Sequence, residues 1–480
     1  MDDENKSDAA AGGKPSLVIK FFFRLTVGEE RPESFFIDEI RKRLIAPLAA
    51  GTVGVPFACA FDLTIDGVEI WDELFTDAAG LQLQRQGNIF HLTGTPKQEF
   101  NGRLVFAYQH RQEGAEYIPQ PIITPIPFVV APPVAHPRDL WQNLPVADYD
   151  GYENPDTAAR GGEIFAPDAP RQLEIVAASV RGRSHAHIAK PRDDYFQFSV
   201  NSETGWNFVA VADGAGSAKY SRQGARLACE TVLQSLDRNL SAEFTEKYRR
   251  DGQEWRDEWV KNGGDLPAAA EQAFIEKTQW DAVFHRAVYD AHEAIRAEAT
   301  SRAGAKINDY HTTLLCAALR YFPEWSAWFI ASYWVGDGGA AILRWNGTDR
   351  VSVLGEPDGG EFAGQTRFLT MKDEIAAEPI RRRLRFSFCD SFAALLLVTD
   401  GITDPFFPSE AAVGDEARWL EFYEQKLRAG CEEEPRGCPE IFATDKSPDE
   451  KAAALLRWLD FWSKGNHDDR TVLTVREKET

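Results

Sequence analysis

Three apolar runs in this 480-residue chain each close on an aspartate followed by glycine. They are Val209-Ala210-Val211-Ala212-Asp213-Gly214, Tyr333-Trp334-Val335-Gly336-Asp337-Gly338 and Leu396-Leu397-Val398-Thr399-Asp400-Gly401. A single Asp-Gly after a strand is ordinarily a turn, because both residue types tolerate turn geometry. Three of them, each ending an unusually apolar strand, point instead to carboxylates pooled at one rim. Such a group repels itself unless a divalent cation neutralises it, so the pattern implies metal.

Holding these carboxylates together requires buried strands and helices to cover them. Gln172 to Val180, Tyr195 to Val200, the run from Trp206, Thr312 to Arg320, Ala327 to Val335, Ala340 to Trp345, Ala393 to Thr399 and Thr471 to Val475 read as strands. Asn346-Gly347 reads as a hairpin turn. Ala225, Ala228, Val232, Leu236 and Leu240 recur at helical spacing, and a second long helix is expected from Pro267 to Arg302 with Phe284, Val288, Ala291 and Ile295 on one stripe. Glu243 to Lys261 reads as a solvated helix or a loop, and residues 349–390 as a solvated strand or helix edge. Arg418 to Arg428 and Asp449 to Lys464 read as helical.

In order along the chain, Arg192-Asp193-Asp194, Val211 to Gly216, His311-Thr312-Thr313-Leu314, Val335 to Gly338, Val398 to Asp404 and Asp468 to Val472 resemble the motifs of metal-dependent protein phosphatases of the 2C type. The resemblance covers residues 171–480. It implies an α/β fold, a β-sandwich of two largely antiparallel sheets flanked by helices (α-β-β-α) with metals at one edge. The implied ligands are Asp193 or Asp194, Asp213 with the carbonyl of Gly214, Asp337, Asp400 and Asp468. Asp213 would bridge two ions, Asp337 would serve a third, and Asp404 would orient its neighbours. A set of oxygen donors selects Mg²⁺ or Mn²⁺. Two such ions about 3.5–4 Å apart lower the pKa of a shared water and aim it at a phosphate, with no covalent intermediate.

The catalytic candidates are then Asp194, Asp213, His185 and Arg192. The position where the family often carries a phosphate-gripping arginine is Ala189, so Arg192, Lys190 and His185 stand as alternatives for that role. Asp469 replaces a typical asparagine, and Ala215 replaces a histidine of animal relatives that could act as general acid. The implied function is metal-dependent hydrolysis of phosphoserine or phosphothreonine in a protein substrate, opposing a serine/threonine kinase of bacterial type. A phosphoprotein-binding pseudo-phosphatase and a hydrolase of small phosphorylated molecules are the alternatives. Gly214-Ala215-Gly216 lacks the third glycine of a dinucleotide loop, and no Gly-x-Ser-x-Gly elbow is present.

Upstream, residues 1–15 are polar and small and expected to be disordered. Residues 16–117 read as short strands, and Gly80 to Leu83, Gly87-Asn88, Thr93 to Pro96 and Gly102 to Phe106 resemble immunoglobulin-like repeats found beside bacterial enzymes and surface proteins. A small immunoglobulin-like β-sandwich with a docking role is expected there. Residues 118–170 are proline-rich and read as a semi-rigid linker. The net charge of −22 would repel nucleic acid and anionic membrane, so neither is expected as a partner. No apolar run approaches the ~20 residues of a membrane span, and the acidic N-terminus does not resemble a signal peptide. Six scattered cysteines without zinc spacing fit a reducing cytoplasm.

Overall fold

A computed structural model of the protein describes residues 19–25, 42–43, 51–64, 68–75, 80–97, 100–104, 108–109, 119–120, 126–131, 140–146, 150–262, 268–344, 351–355, 357, 366–429 and 437–478. The chain divides into two units, Met1–Leu140 and Trp141–Thr480.

The first unit contains β1 (Ile19–Leu25), β2 (Gly51–Thr52), β3 (Phe57–Asp62), β4 (Val68–Phe75), β5 (Leu81–Gln86), β6 (Ile89–Gly94), β7 (Phe100–Leu104), β8 (Tyr108–Gln109), β9 (Pro119–Gln120) and β10 (Ile126–Ala131). They form three small sheets ordered β4-β1-β8-β9, β2-β10-β7 and β3-β6-β5. The β5–β6 hairpin turns at Gly87-Asn88, where Gln86 pairs with Ile89 and Gly87 takes a φ of 65° that its missing Cβ permits. Phe61 stacks on Phe90 at 5.5 Å, and Leu81 and Leu92 are buried. These sheets do not establish an immunoglobulin-like arrangement. The expected tail, residues 1–15, lies outside the described residues.

The stretch expected as one proline-rich linker, 118–170, differs from that expectation. Phe128 to Val130 of β10 pair with β7, and Thr157–Glu163, which has no proline, forms β11 and pairs with the next strand throughout its length. Residues other than proline keep the amides that pairing requires, so these runs enter sheets.

The second unit continues with β12 (Leu173–Val180), β13 (Tyr195–Val200), β14 (Asn207–Ala212), β15 (Leu314–Phe322), β16 (Ala327–Val335), β17 (Gly339–Leu343), β18 (Val351–Gly355), β19 (Leu384–Cys389), β20 (Ala394–Val398) and β21 (Arg470–Glu477). A six-stranded sheet runs β11-β12-β21-β20-β17-β18 and a five-stranded sheet β13-β14-β15-β16-β19. Neighbouring strands pair antiparallel throughout.

Strand periodicity explains how the layers stack. In β14, Val209 and Val211 join the core between the sheets, where they meet Leu315, Ala317, Ile175, Leu473, Leu395 and Leu397. Phe208, Ala210 and Ala212 point the other way, to a core shared with the helices Ser221–Asn239 and Trp280–Ser301. In β20, Leu395 and Leu397 face the first of these cores, while Ala394, Leu396 and Val398 face a third core shared with the helix Pro448–Leu459. Both strands are apolar on both faces because both faces are covered, so they read as continuous runs rather than alternating ones. The order helix, sheet, sheet, helix is the α-β-β-α sandwich expected for residues 171–480.

Local differences from the sequence reading have identifiable causes. The single helix expected from Pro267 to Arg302 is two, Ala268–Thr278 and Trp280–Ser301, separated by Gln279 at φ 62°. A left-handed residue reverses the backbone and breaks the i to i−4 ladder. Ala242–Lys261 is a helix whose Tyr248 and Trp259 are buried, so its charge pattern hid an apolar stripe. Residues 372–389 hold two short helices and the buried strand β19. The basic run Arg381 to Arg383 is paired with Asp281, Glu378 and Glu374. Asn346-Gly347 and Cys431 lie outside the described residues. Among the described residues, no helix is long and apolar enough to cross a membrane.

Candidate metal centre

Strand register brings the carboxylates together. Tyr195 pairs with Ala212, which sets Asp194, just before β13, beside Asp213, just after β14. Leu314 pairs with Val335, so Asp337 leaves β16 next to Thr312 and Thr313. In the other sheet Val398 pairs with Gly339 and Val472, placing Asp400 next to the entry of β17 and to Asp468 and Asp469 before β21. Antiparallel neighbours start and stop at the same edge, so strand ends remote in sequence share one rim.

Threonines fix the backbone of this rim. Asp213 donates its amide to Thr313 Oγ1 at 2.9 Å, and its carbonyl accepts the Thr313 amide at 2.8 Å and Thr312 Oγ1 at 2.9 Å. Thr399 Oγ1 and Thr471 Oγ1 both donate to Asp194 Oδ2, at 2.9 and 2.6 Å. Thr366 Oγ1 donates to Asp337 Oδ2 at 2.6 Å. Gly336 has φ 118°, and a Cβ there would come within 2.5 Å of the Thr313 side chain, so only glycine lets β16 turn toward the rim.

Oxygen atoms of Asp213, Asp337 and Asp400 lie within 4.8 Å of one another. Asp194 Oδ1, Asp337 Oδ1 and Asp400 Oδ1 are buried and have no hydrogen-bond partner. Buried polar atoms are nearly always satisfied, so three orphaned carboxylate oxygens at one rim are a set that could receive a cation. Burial and the Asp400 charge push the Asp213 carboxyl well above the usual carboxylate range, and burial and Asp337 do the same to Asp400. Asp194 rises to about 7 through burial and the Asp469 charge, and Asp404, although exposed, to about 6 through desolvation by its neighbours and the Asp337 charge. These shifts express first the cost of taking a charged carboxylate out of water and then that of packing like charges without a counter-charge. The donor set is all oxygen and fits Mg²⁺ or Mn²⁺.

A second cluster joins His185, Asp468 and Asp469. His185 Nδ1 is 3.1 Å from Asp469 Oδ2, and Nε2 is 3.9 Å from Asp468 Oδ1. Burial lowers the His185 pKa, but the Asp469 charge and hydrogen bond outweigh it and raise it to about 9. Burial would raise Asp469, yet the His185 charge and the amides of Gly182 and Asp193 hold it below the usual carboxylate range. Asp468 has a half-exposed side chain, yet desolvation by the crowded loop and then the Asp469 charge raise it.

Not every expected site residue reaches the rim. Arg192 is 1% exposed, and its guanidinium donates to the Pro155 carbonyl at 2.9 Å and to Asn154 Oδ1 at 2.8 Å. The guanidinium is thus turned into the interior, where its Nη1 has no hydrogen-bond partner among the described residues. The Asp193 carboxylate faces Ser221 and Arg222, and burial together with the Asp469 charge raises it to about 7; of the adjacent pair, Asp194 is the one beside Asp213. Gly214 bridges to Thr312 and packs against the Asp193 carbonyl and Ser221. Lys190 Nζ donates to the Gly216 carbonyl at 2.6 Å, and a Cβ on Gly216 would lie 3.7 Å from His185 Nε2. His311 stacks on Phe368 at 4.8 Å and bonds Thr370, so it serves the fold. The sequence reading missed Thr399 and Thr471 as carboxylate donors. Their signal was position: each hydroxyl stands within three residues of a rim aspartate on neighbouring strands.

The family model described as "Protein phosphatase 2C" matches residues 181–434, more than half of the chain. No curated protein matches the sequence. Among solved structures, the serine/threonine phosphatase Stp1 from Staphylococcus aureus is similar at 12% identity, over 63% of this chain and 94% of that one, with a TM-score of 0.33. RsbX in complex with magnesium is similar at 10% identity, over 67% and 100%, with a TM-score of 0.30. A phosphatase from Toxoplasma gondii is similar at 12% identity, over 68% and 97%, with a TM-score of 0.36. The family match spans the first acidic pair and all three Asp-Gly strand ends, while β11, β12, β21 and Asp468 lie outside it, and on its share of the chain the chain belongs to the protein phosphatase 2C family.

Proposed function

We propose that the chain is a metal-dependent serine/threonine protein phosphatase that hydrolyses phosphoprotein monoesters. The observation that carries this reading is the group of Asp213, Asp337 and Asp400 oxygens within 4.8 Å of one another, with orphaned oxygens on Asp194, Asp337 and Asp400. Asp194, Asp213, Asp337, Asp400 and Asp468, with the carbonyl of Gly214, would hold two divalent cations and the third that the family resemblance allows. Bound there, Mg²⁺ or Mn²⁺ supplies Lewis acidity toward a phosphoryl group and lowers the pKa of water toward neutrality.

The chain's own residues do the rest. Thr399 and Thr471 hold the Asp194 carboxylate, so its free oxygen keeps one direction. Thr312 and Thr313 hold the Asp213 backbone in the same way. His185, kept charged by Asp469, puts a cation beside Asp468 and is the candidate contact for phosphate now that Arg192 is buried. Lys190, on the same loop, is the alternative. The partners of this activity are a phosphorylated protein and the serine/threonine kinase that makes it, in a cytoplasmic setting.

A second reading, a phosphoprotein-binding pseudo-phosphatase, draws on the same site. Ala189 and the burial of Arg192 leave no guanidinium at the rim from this loop. Release of phosphate from a phosphothreonine peptide by the purified chain, with Mn²⁺, with Mg²⁺ and with chelator, separates the two. Metal-dependent release that disappears in Asp213→Asn supports the enzyme. A folded protein that binds metal and phosphopeptide without release supports the pseudo-phosphatase.

A further inference from the structure

Residues 141–146 and 150–156, just ahead of β11, run along the loops that carry the acidic rim. Trp141 lies 4.4 Å from the His467 ring and 5.4 Å from the His187 ring, centroid to centroid. Leu144 donates its amide to the Ala186 carbonyl at 3.0 Å, and Arg181 donates to Asn143 Oδ1 and the Leu144 carbonyl at 2.6 and 2.9 Å. At the other end, Asn154 is 4% exposed and uses both ends of its amide. Its Nδ2 donates to the carbonyls of Arg192 and Asp194, at 2.5 and 3.2 Å, and its Oδ1 accepts from Arg192 Nη2 at 2.8 Å.

These bonds grip the main chain on both sides of Asp193, immediately before β13. We propose that Asn154 is a positioning residue: by clamping the 192–194 backbone it fixes the direction in which the Asp194 carboxylate meets a cation. The inference rests on reading Asp194 as a cation ligand. An asparagine suits the task because one group must donate to two carbonyls and accept from a guanidinium. An aspartate could accept but would repel the carbonyls, and an alanine would leave two buried carbonyls and a buried guanidinium nitrogen unpaired. The second half of the Asp194 grip comes from Thr399 and Thr471 on the carboxylate itself, so backbone and side chain are fixed independently.

The test is calorimetric titration of Mn²⁺ into the metal-free full-length chain, as wild type, Asn154→Ala, Asn154→Asp and Tyr152→Phe. Tyr152 belongs to the same segment, but its hydroxyl bonds Glu298 and Tyr310, so Tyr152→Phe loosens the segment without touching residues 192–194. Asn154→Ala and Asn154→Asp should each weaken Mn²⁺ binding by about 10–100-fold, the range seen when groups supporting metal ligands are removed, while Tyr152→Phe keeps the wild-type constant. If Asn154→Ala does not fold, Asn154→Ser takes its place and should show a smaller weakening in the same direction. Wild-type affinity in every folded Asn154 variant overturns the positioning role and leaves the phosphatase reading intact. Equal weakening in Tyr152→Phe also overturns it, because general stability of the segment would then set the affinity. A wild type that takes no Mn²⁺ overturns the metal reading itself, and this inference with it.

Discussion

His185 Nδ1 stands 3.1 Å from Asp469 Oδ2, the oxygen that also accepts the Asp193 amide at 2.5 Å. The other oxygen of Asp469 accepts the Gly182 amide at 2.6 Å. One carboxylate thus joins the end of β12, the loop before β13 and the loop before β21. An asparagine in its place could not hold an imidazolium by charge.

This pair gives the metal-free protein a pH dependence of known sign. The His185 pKa is raised from 6.5 to about 9, so its contribution to stability is complete below 6.5 and is lost as pH rises through 9. The lowered Asp469 is the other half of the same interaction and adds no second contribution in this window. Asp213 and Asp400 act in the same direction: raised above 3.8 by burial first and then by neighbouring carboxylates, they favour the fold at low pH and lose that advantage as pH rises. The melting midpoint of chelator-treated protein should fall between pH 6.5 and 9, with roughly 3 kcal/mol at most attributable to His185. His185→Gln should flatten the fall; a midpoint that climbs over this range would contradict the assignment.

Thr399→Val and Thr471→Val test the grip on Asp194. Each removes a donor to a buried carboxylate oxygen and keeps the side-chain shape. Each should cost about 1–3 kcal/mol of stability and, as a lost support for a ligand, about 10–100-fold in metal affinity. Denaturant unfolding with chelator measures the first and metal titration the second. Unchanged metal affinity in the double variant would remove Asp194 from the ligand set.

Asp400 and Asp337 should not be equivalent. Asp337 has Thr366 on one oxygen, whereas Asp400 draws its position from the end of β20 and the start of the helix Asp400–Phe406. Asp400→Asn should lower phosphatase turnover by more than about 100-fold, since even changes behind the ligands cost 10–100-fold. Asp337→Asn should lose less and should recover part of its rate at higher Mn²⁺. Equal, metal-insensitive losses in both would end the distinction between core and accessory cations.

Away from the rim, Glu174 on β12 accepts from Lys451 Nζ at 2.7 Å and from the Arg476 guanidinium, and all three are buried. Breaking a buried ion pair on one side strands the other charge. Glu174→Gln should therefore destabilise by about 3–5 kcal/mol, yet leave Mn²⁺ affinity of the folded protein unchanged. Thermal unfolding and metal titration on the same sample decide both halves.

The carboxylate group was legible in the chain because strands covered on both faces are written as unbroken apolar runs, and Asp213, Asp337 and Asp400 sit where those runs stop. Helical stripes such as Phe284, Val288, Ala291 and Ile295 were legible for the same reason: periodicity survives whatever the strand order. The break at Gln279 was not, since a glutamine carries no signal for left-handed backbone. Nor was the absence of Arg192 from the rim, because a guanidinium looks the same in sequence whether it meets phosphate or the Pro155 carbonyl.

Residue type and local pattern by themselves determined which strands are buried, where they end, and that carboxylates stand at their ends. Tertiary structure alone decided which carboxylates meet. Asp194 lies beside Asp213 through the pairing of Tyr195 with Ala212, and Thr471 reaches Asp194 across 277 residues of chain. It also drew Asn154, from a stretch that reads as linker, onto the backbone of the acidic pair. The physical reason is that burial and chain ends are local properties, whereas hydrogen-bond partners and electrostatic neighbours are fixed only when sheets register and pack.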